Sequence, residues 1–435
     1  MSKSFLKDLP ELIAANIISA DKAKEIENYY NTKEEGSPNR MTVVLGILGA
    51  LLAGCGIVLL IAHNWDGLSN IVKTVLAFIP LVIGQSLCLY SRLSRKSDNV
   101  LWRECSAVFL FFAVIACIAL ISQIFHINGS LHEFLLTVLL LTVPLVYLMP
   151  SSSVSLLFIA FTTWYDSDIG YGYNSETPYS YFPLLLLIAP HYWQLLKKKN
   201  NFFYLHNWML CISAIVTFGT FGSDASATII WLFAGYMSLF CLFYFIGKSS
   251  TFSNTKVFLN PFVILGRIGI ILILFIWSFL GIWEGILDIQ GVAGFLRTAA
   301  GFLSLIFLLP CIRFLYNSWW KKEEGYSEPI GLSAFVFIFC TAVFARLPVL
   351  AIFIINAWII FLAVYYIRLG SAKNHLGILN SGLLIIVLLA IFRFFDDKIP
   401  FVWRGLFFLA AGAGFFVANY MMIKKRKLIK QKANS

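Results

Sequence analysis

MTVVLGILGALLAGCGIVLLIA, residues 41–62, is an apolar run without a single charged side chain. At 1.5 Å of rise per residue it forms a helix of about 33 Å, long enough to cross a hydrocarbon core of about 30 Å. Inside that core every backbone N–H and C=O must be paired within its own helix or within a closed barrel, and runs this long select helices. Comparable runs recur at 71–90, 103–124, 133–149, 154–164, 181–196, 202–221, 227–246, 258–283, 292–315, 330–345, 348–367, 376–392 and 401–423. The expected fold is an all-α, polytopic transmembrane helix bundle of about fourteen spans. The run at 154–164 is the shortest.

Composition excludes a water-soluble fold, since 59% of the chain is hydrophobic and only 13% charged, against about 25% charged in soluble domains. The chain divides into residues 1–38, residues 41–423 and a basic tail at 424–435. Leu6, Leu9, Leu12 and Ile13 give the N-terminal segment one apolar stripe. Ser19 is placed to cap a second helix with Ala23, Ile26 and Tyr30 on one face. A short cytoplasmic amphipathic hairpin is expected there, with Gly36 and Pro38 in the linker that follows.

Lys and Arg near short loops accumulate on the cytoplasmic side. Starting from a cytoplasmic N-terminus, the inner segments collect Arg92, Arg95, Lys96 and Arg103, then Lys197 to Lys199, Lys248 and Lys256. Further along they hold Arg313, Lys321, Lys322, Arg368, Lys373 and the tail. Both termini are therefore expected inside, and the net charge of +11 is a charge facing the anionic leaflet rather than a nucleic-acid surface. Residues 1–38 are polar and the first apolar run is too long for a cleavable leader, so that run serves as its own insertion signal. The cysteines lie in or beside apolar spans, and free thiols are expected.

Ile17-Ile18-Ser19, the stretch LGILGALLAGCGIVLLIAHNWDGLSNIVK (45–73), the run Gln123 to Ser130, Leu145 to Leu148, and FRFFDDKIPFVWRGLFFLAAGAG (392–414) resemble bacterial membrane proteins catalogued as domain of unknown function 2157. The resemblance implies a multi-pass protein of the bacterial inner membrane. It carries over no catalytic residue, ligand or mechanism.

Polar residues gather toward the outer face. Asn64, Trp65 and Asp66 end the first span and Lys73 opens the second; Arg393, Asp396, Asp397 and Arg404 repeat the arrangement in the last hairpin, and Arg297 and Arg346 lie on the same side. Charged groups below the interface face protein, water or an opposite charge, which makes these ten residues a candidate polar site. Snorkelling and turn-fixing ion pairs are the competing explanation. Lower in rank are His63, His126, His132 and Glu133, whose spacing is no zinc signature, so no metal and no cofactor is expected. A hydrogen-bonded histidine pair is the expectation for His126 and His132. Asp166-Ser167-Asp168 reads as a solvated outer loop, and Trp164, Tyr165, Tyr179 and Tyr181 as part of an interfacial aromatic belt.

The expected activity is that of a transporter or lipid flippase, with membrane lipids as neighbours and a lipid or small molecule as cargo. A membrane-embedded transferase or hydrolase on a lipid-linked substrate, and a non-catalytic scaffold or sensor, are the alternatives. Sequence leaves the oligomeric state open.

Overall fold

A computed structural model describes residues 10, 12–15, 18–26, 52, 67–94, 99–172, 177–222, 229–252, 255–284, 292–320, 328–344 and 347–394, with isolated positions between 402 and 416. These residues are helical or lie in short connections, and no strand occurs among them. The expected spans at 41–62 and 401–423 and most of the N-terminal hairpin fall outside the described residues.

The chain divides into two units, 1–77 and 78–435. In the first, Ser19 Oγ accepts from Lys22 N at 3.5 Å where a helical segment begins at residue 20, and Ala23 on that segment is buried. The long helices are α1 (Asn70–Leu93), α2 (Val100–Ile124), α3 (Leu131–Leu148), α4 (Ser152–Gly170), α5 (Tyr181–Lys198), α6 (Asn201–Thr220), α7 (Ile229–Lys248) and α8 (Pro261–Ile276). After the short α9 (Leu280–Glu284) and α10 (Val292–Leu296) come α11 (Ala299–Trp320), α12 (Ser333–Phe344), α13 (Pro348–Ala372) and α14 (Leu376–Phe394). Each expected span from 71 to 392 is covered at least in part by described helix.

Seven of these helices, α1, α2, α3, α6, α7, α13 and α14, are long and apolar enough to cross a membrane. The helix over the expected run 154–164 is longer than the hydropathy signal: Ser151 caps it by accepting from Val154 N at 3.2 Å, and it continues to Gly170. Asp166 is therefore helical and fully buried, not part of a solvated loop. Two expected spans are interrupted. The run 258–283 breaks after Ile276, and the run 292–315 breaks at Arg297-Thr298, where Thr298 Oγ1 accepts from Gly301 N at 3.1 Å.

Bonds between helix ends set alternating directions. Arg92 of α1 donates to the Leu148 carbonyl of α3, and Lys199 after α5 donates to the Thr251 carbonyl after α7 at 2.9 Å. At the opposite end Asp168 of α4 meets His132 of α3 at 3.4 Å. The largest apolar core surrounds α7, where Met237, Cys241, Tyr244 and Phe245 have no exposed surface. Helices close in over small residues: a Cβ at Gly266 of α8 would lie 2.7 Å from Tyr244 N, and one at Gly382 of α14 would lie 2.7 Å from the Ala363 carbonyl. Close backbone approach of this kind is how helices pack without a hydrophobic drive between them. The seven described cysteines are free thiols.

Candidate functional site

At the end of the bundle that carries Arg92, Arg103 and Lys199, α2 delivers Glu104 to the start of α4. The first N–H groups of a helix have no partner within it and attract a carboxylate. Ser152 N and Ser153 N donate to Glu104 at 3.0 and 2.9 Å, and Ser151 Oγ donates at 2.5 Å. Arg103 stands 4.0 Å away. Two histidines complete the cluster. His191 of α5 has Nε2 3.3 Å from Ser152 Oγ, and His206 of α6 has Nε2 3.0 Å from Ser155 Oγ. The Phe202 carbonyl, 2.7 Å from His206 Nδ1, can only accept, so Nδ1 carries a proton and Nε2 is left to exchange one with Ser155. The two rings are 6.0 Å apart.

A second cluster lies at the same end. Glu328, just before α12, bonds Lys248 Nζ and Arg267 Nη2, each at 2.7 Å, and accepts from Tyr366 OH at 3.2 Å. Arg267 also stands over the rings of Tyr244 and Tyr366, 5.7 and 5.6 Å from their centres. Burial pushes the Glu328 carboxyl up, but Arg267 and Lys248 outweigh it and hold its pKa at about 2.

At the opposite end, Asp166 Oδ2 accepts from Thr220 Oγ1 of α6 at 3.0 Å, while Oδ1 has no hydrogen-bond partner in the protein. Nearby, Ser213 Oγ lies 2.6 Å from both Thr163 Oγ1 and Tyr181 OH. Tyr165 and Tyr181, expected in the aromatic belt, are buried, whereas Trp164 and Tyr179 are exposed. Also at this end, the break after α8 exposes carbonyls that a continuing helix would have used. Trp283 Nε1 takes the Trp277 carbonyl at 2.8 Å and Asn356 Nδ2 reaches the Ser278 carbonyl at 3.4 Å. Arg393 of α14, only 8% exposed, donates to Ser278 Oγ at 2.6 Å and stacks 4.4 Å from the centre of the Phe279 ring. A cation at a helix C-terminus is electrostatically favourable.

Of the expected site, Arg393 is built into the bundle, Lys73 sits half-buried in the first turn of α1, and Arg297 is exposed at the α10–α11 break. His63, Asn64, Trp65, Asp66, Arg346, Asp396, Asp397 and Arg404 lie outside the described residues. His126 is exposed in left-handed backbone, with φ of 50°. His132 does not pair with it. It bonds Ser130 Oγ at 2.9 Å and Asp168 instead. Glu133 closes a capping box with Ser130 at the start of α3.

Sequence reading passed over Glu104, His191, His206 and Glu328, and took Asp166 for a loop residue. A usable signal existed for some of them. Ser152, Ser155, Thr162 and Asp166 repeat at helical spacing on one face of α4, and His206, Ser213 and Thr220 repeat every seven residues on α6. Among the described residues no group of His, Cys, Asp and Glu could hold a metal ion.

The class defined so far is an all-helical membrane protein with charged and titratable groups buried between its helices. Residues 10–155 match the family model described as "Predicted membrane protein (DUF2157)", in agreement with the resemblance read from the sequence. The matched region ends in the first turn of α4. No curated protein and no solved structure matches the chain.

Proposed function

We propose that the chain is a multi-pass protein of the bacterial inner membrane, of about fourteen spans with both termini cytoplasmic. Residues 1–38 form a hairpin at the inner surface and 424–435 a basic tail against anionic lipid. Its activity is that of a transporter or lipid flippase whose polar site opens to the outer face. The observation that supports this best is the interrupted helix at Trp277 to Phe279 with Arg393 seated on it. Interrupted helices in transporters bring half-helix ends to the cargo, and buried intramembrane cations are costly enough to mark function by default. Arg393 and Asn356 form the described part of the site. Arg346, Asp396, Asp397 and Arg404 are proposed to complete it.

An arginine of this kind grips phosphate through paired N–H donors, which favours a phosphate-bearing lipid headgroup as cargo. The test is native mass spectrometry with lipid extraction of the purified wild type and the Arg393→Gln variant. One lipid class is expected to co-purify with the wild type and to fall about tenfold in the variant, the loss of one charge-assisted hydrogen bond. Equal yields from the two proteins, or no preferred lipid, would sink the lipid assignment.

A further inference from the structure

The α4–α5–α6 packet holds a feature that cargo binding at Arg393 does not use. On the seam between α4 and α6, polar side chains cluster at both ends, and the middle is dry. At one end stand Glu104, His191, His206 and Ser155; at the other stand Thr163, Ser213, Tyr181, Thr220 and Asp166. Ser155 and Thr162 are separated by about 10 Å of helix. That interval is filled by Phe158, Ile159 and Ile188, each at most 3% exposed.

Two observations beyond the clustering point to protons. First, three buried polar atoms on this seam have no protein partner: Thr162 Oγ1, Asp166 Oδ1 and Thr217 Oγ1. Buried polar atoms take partners wherever these can reach them, so these are the positions at which a hydrogen-bonded chain would continue. Second, the groups at both ends exchange protons by their nature. His206 has Nε2 directed at a hydroxyl and Nδ1 fixed on a carbonyl. Asp166 faces the Thr217 and Thr220 hydroxyls of α6, with Tyr181 of α5 and Tyr171 beyond α4 also close enough to feel its charge. The nearest ion pair on its own helix, Asp168 with His132, is separate from it. Facing the two histidines are Glu104, Arg103 and Lys198.

We propose that α4, α5 and α6 form a gated proton path, with the Glu104–His191–His206 group serving one side of the membrane, Asp166 the other, and the Phe158–Ile159–Ile188 layer closed between them. Each hydroxyl on the way passes on its own proton as it receives another, so no net chemistry occurs. The gate opens when water enters the apolar layer.

The test makes that layer polar. Full-length protein is reconstituted into liposomes containing a trapped pH dye, and proton entry is driven by a valinomycin-clamped potassium gradient. No cargo is needed, so failure here leaves the lipid measurement on Arg393 standing. Ile159→Ser is expected to raise proton entry at least about tenfold over wild type. Adding Asp166→Asn to it, or adding His206→Gln in a separate double variant, is expected to remove that increase. Ile188→Thr, from the other wall of the layer, repeats the test should Ile159→Ser not give monodisperse protein. Proton entry no faster than wild type in the polar-layer variants would overturn the proposal. An increase that persists with Asp166→Asn and His206→Gln would do so equally.

Discussion

Glu104 and Glu328 are carboxylates at the same end of the same bundle, and the two are held by different means. Glu104 takes its donors from a helix N-terminus, through two backbone N–H groups and the Ser151 hydroxyl. Glu328 takes its partners from two cations on separate helices, Lys248 of α7 and Arg267 of α8. Backbone donors are part of the helix and remain in place whatever happens to Glu104. Cations are side chains that become a liability once their anion is gone. The two sites should therefore fail differently.

The largest effect is expected from Glu328→Ala. Removing one partner from a buried ion cluster leaves the others uncompensated, which costs about 3–5 kcal/mol. Partial exposure of Lys248 and Arg267, 25% and 32%, places this case near about 3 kcal/mol. Thermal loss of monodispersity in detergent measures it. Should Glu328→Ala prove no more damaging than Glu104→Ala, the contrast between the two glutamates is wrong.

The same cluster predicts an acid response. The Glu328 carboxyl titrates at about 2 in the folded protein against an ordinary 4.5. A depressed carboxyl contributes stability that is full above the ordinary value and is lost as pH falls toward the folded one. At 1.36 kcal/mol per unit, the contribution at stake between pH 4.5 and 2 is about 3 kcal/mol. Wild type should lose more melting temperature between pH 5 and pH 3 than Glu328→Gln, which has no charge left to lose. Parallel losses in the two proteins would show that Glu328 is not the group responsible.

Glu104→Ala is expected to cost about 2 kcal/mol, because the freed N–H groups at the start of α4 lose a charged acceptor. Glu104→Gln should cost about half of that, since its amide oxygen still accepts from a backbone N–H. The corresponding Gln variant at Glu328 has no such refuge: an amide cannot neutralise Arg267. The ratio of Gln to Ala damage thus separates a carboxylate held by dipoles from one held by charges, and equal ratios at both sites would erase the distinction.

The contrast also explains what could be read from the sequence. Apolar length is a local property, and helices from α1 to α14 stand where the apolar runs do. Helix caps are local as well, and α4 outlasts its hydropathy signal because Ser151 starts it and its polar face packs on α6. The breaks at Ser278 and Thr298 are not visible in hydropathy, since hydroxyl bonds to nearby backbone end those helices without changing the apolar count. Arg393 was legible as a charge too near an apolar run to be indifferent. Its partner Ser278 was not, because 115 residues separate them. Glu104 and Glu328 were hidden for the same reason: each looks like an ordinary interfacial acid until folding brings up partners from other helices.

The smallest effect belongs to a cap that sequence spacing does encode. At the start of α3, Ser130 Oγ accepts from Glu133 N at 3.3 Å and Glu133 Oε2 accepts from Ser130 N at 2.9 Å. This is the work Glu104 does for α4, performed three residues away instead of from a neighbouring helix. The exposed end of α3 lets water replace a lost partner, whereas the start of α4 is buried under α2 and α5. Ser130→Ala should therefore cost about 1 kcal/mol, the usual value of an N-cap, and less than Glu104→Ala in the same melting assay. If Ser130→Ala instead matched Glu104→Ala, burial would not be what makes the remote cap of α4 expensive to remove, and the local and long-range caps would be energetically alike.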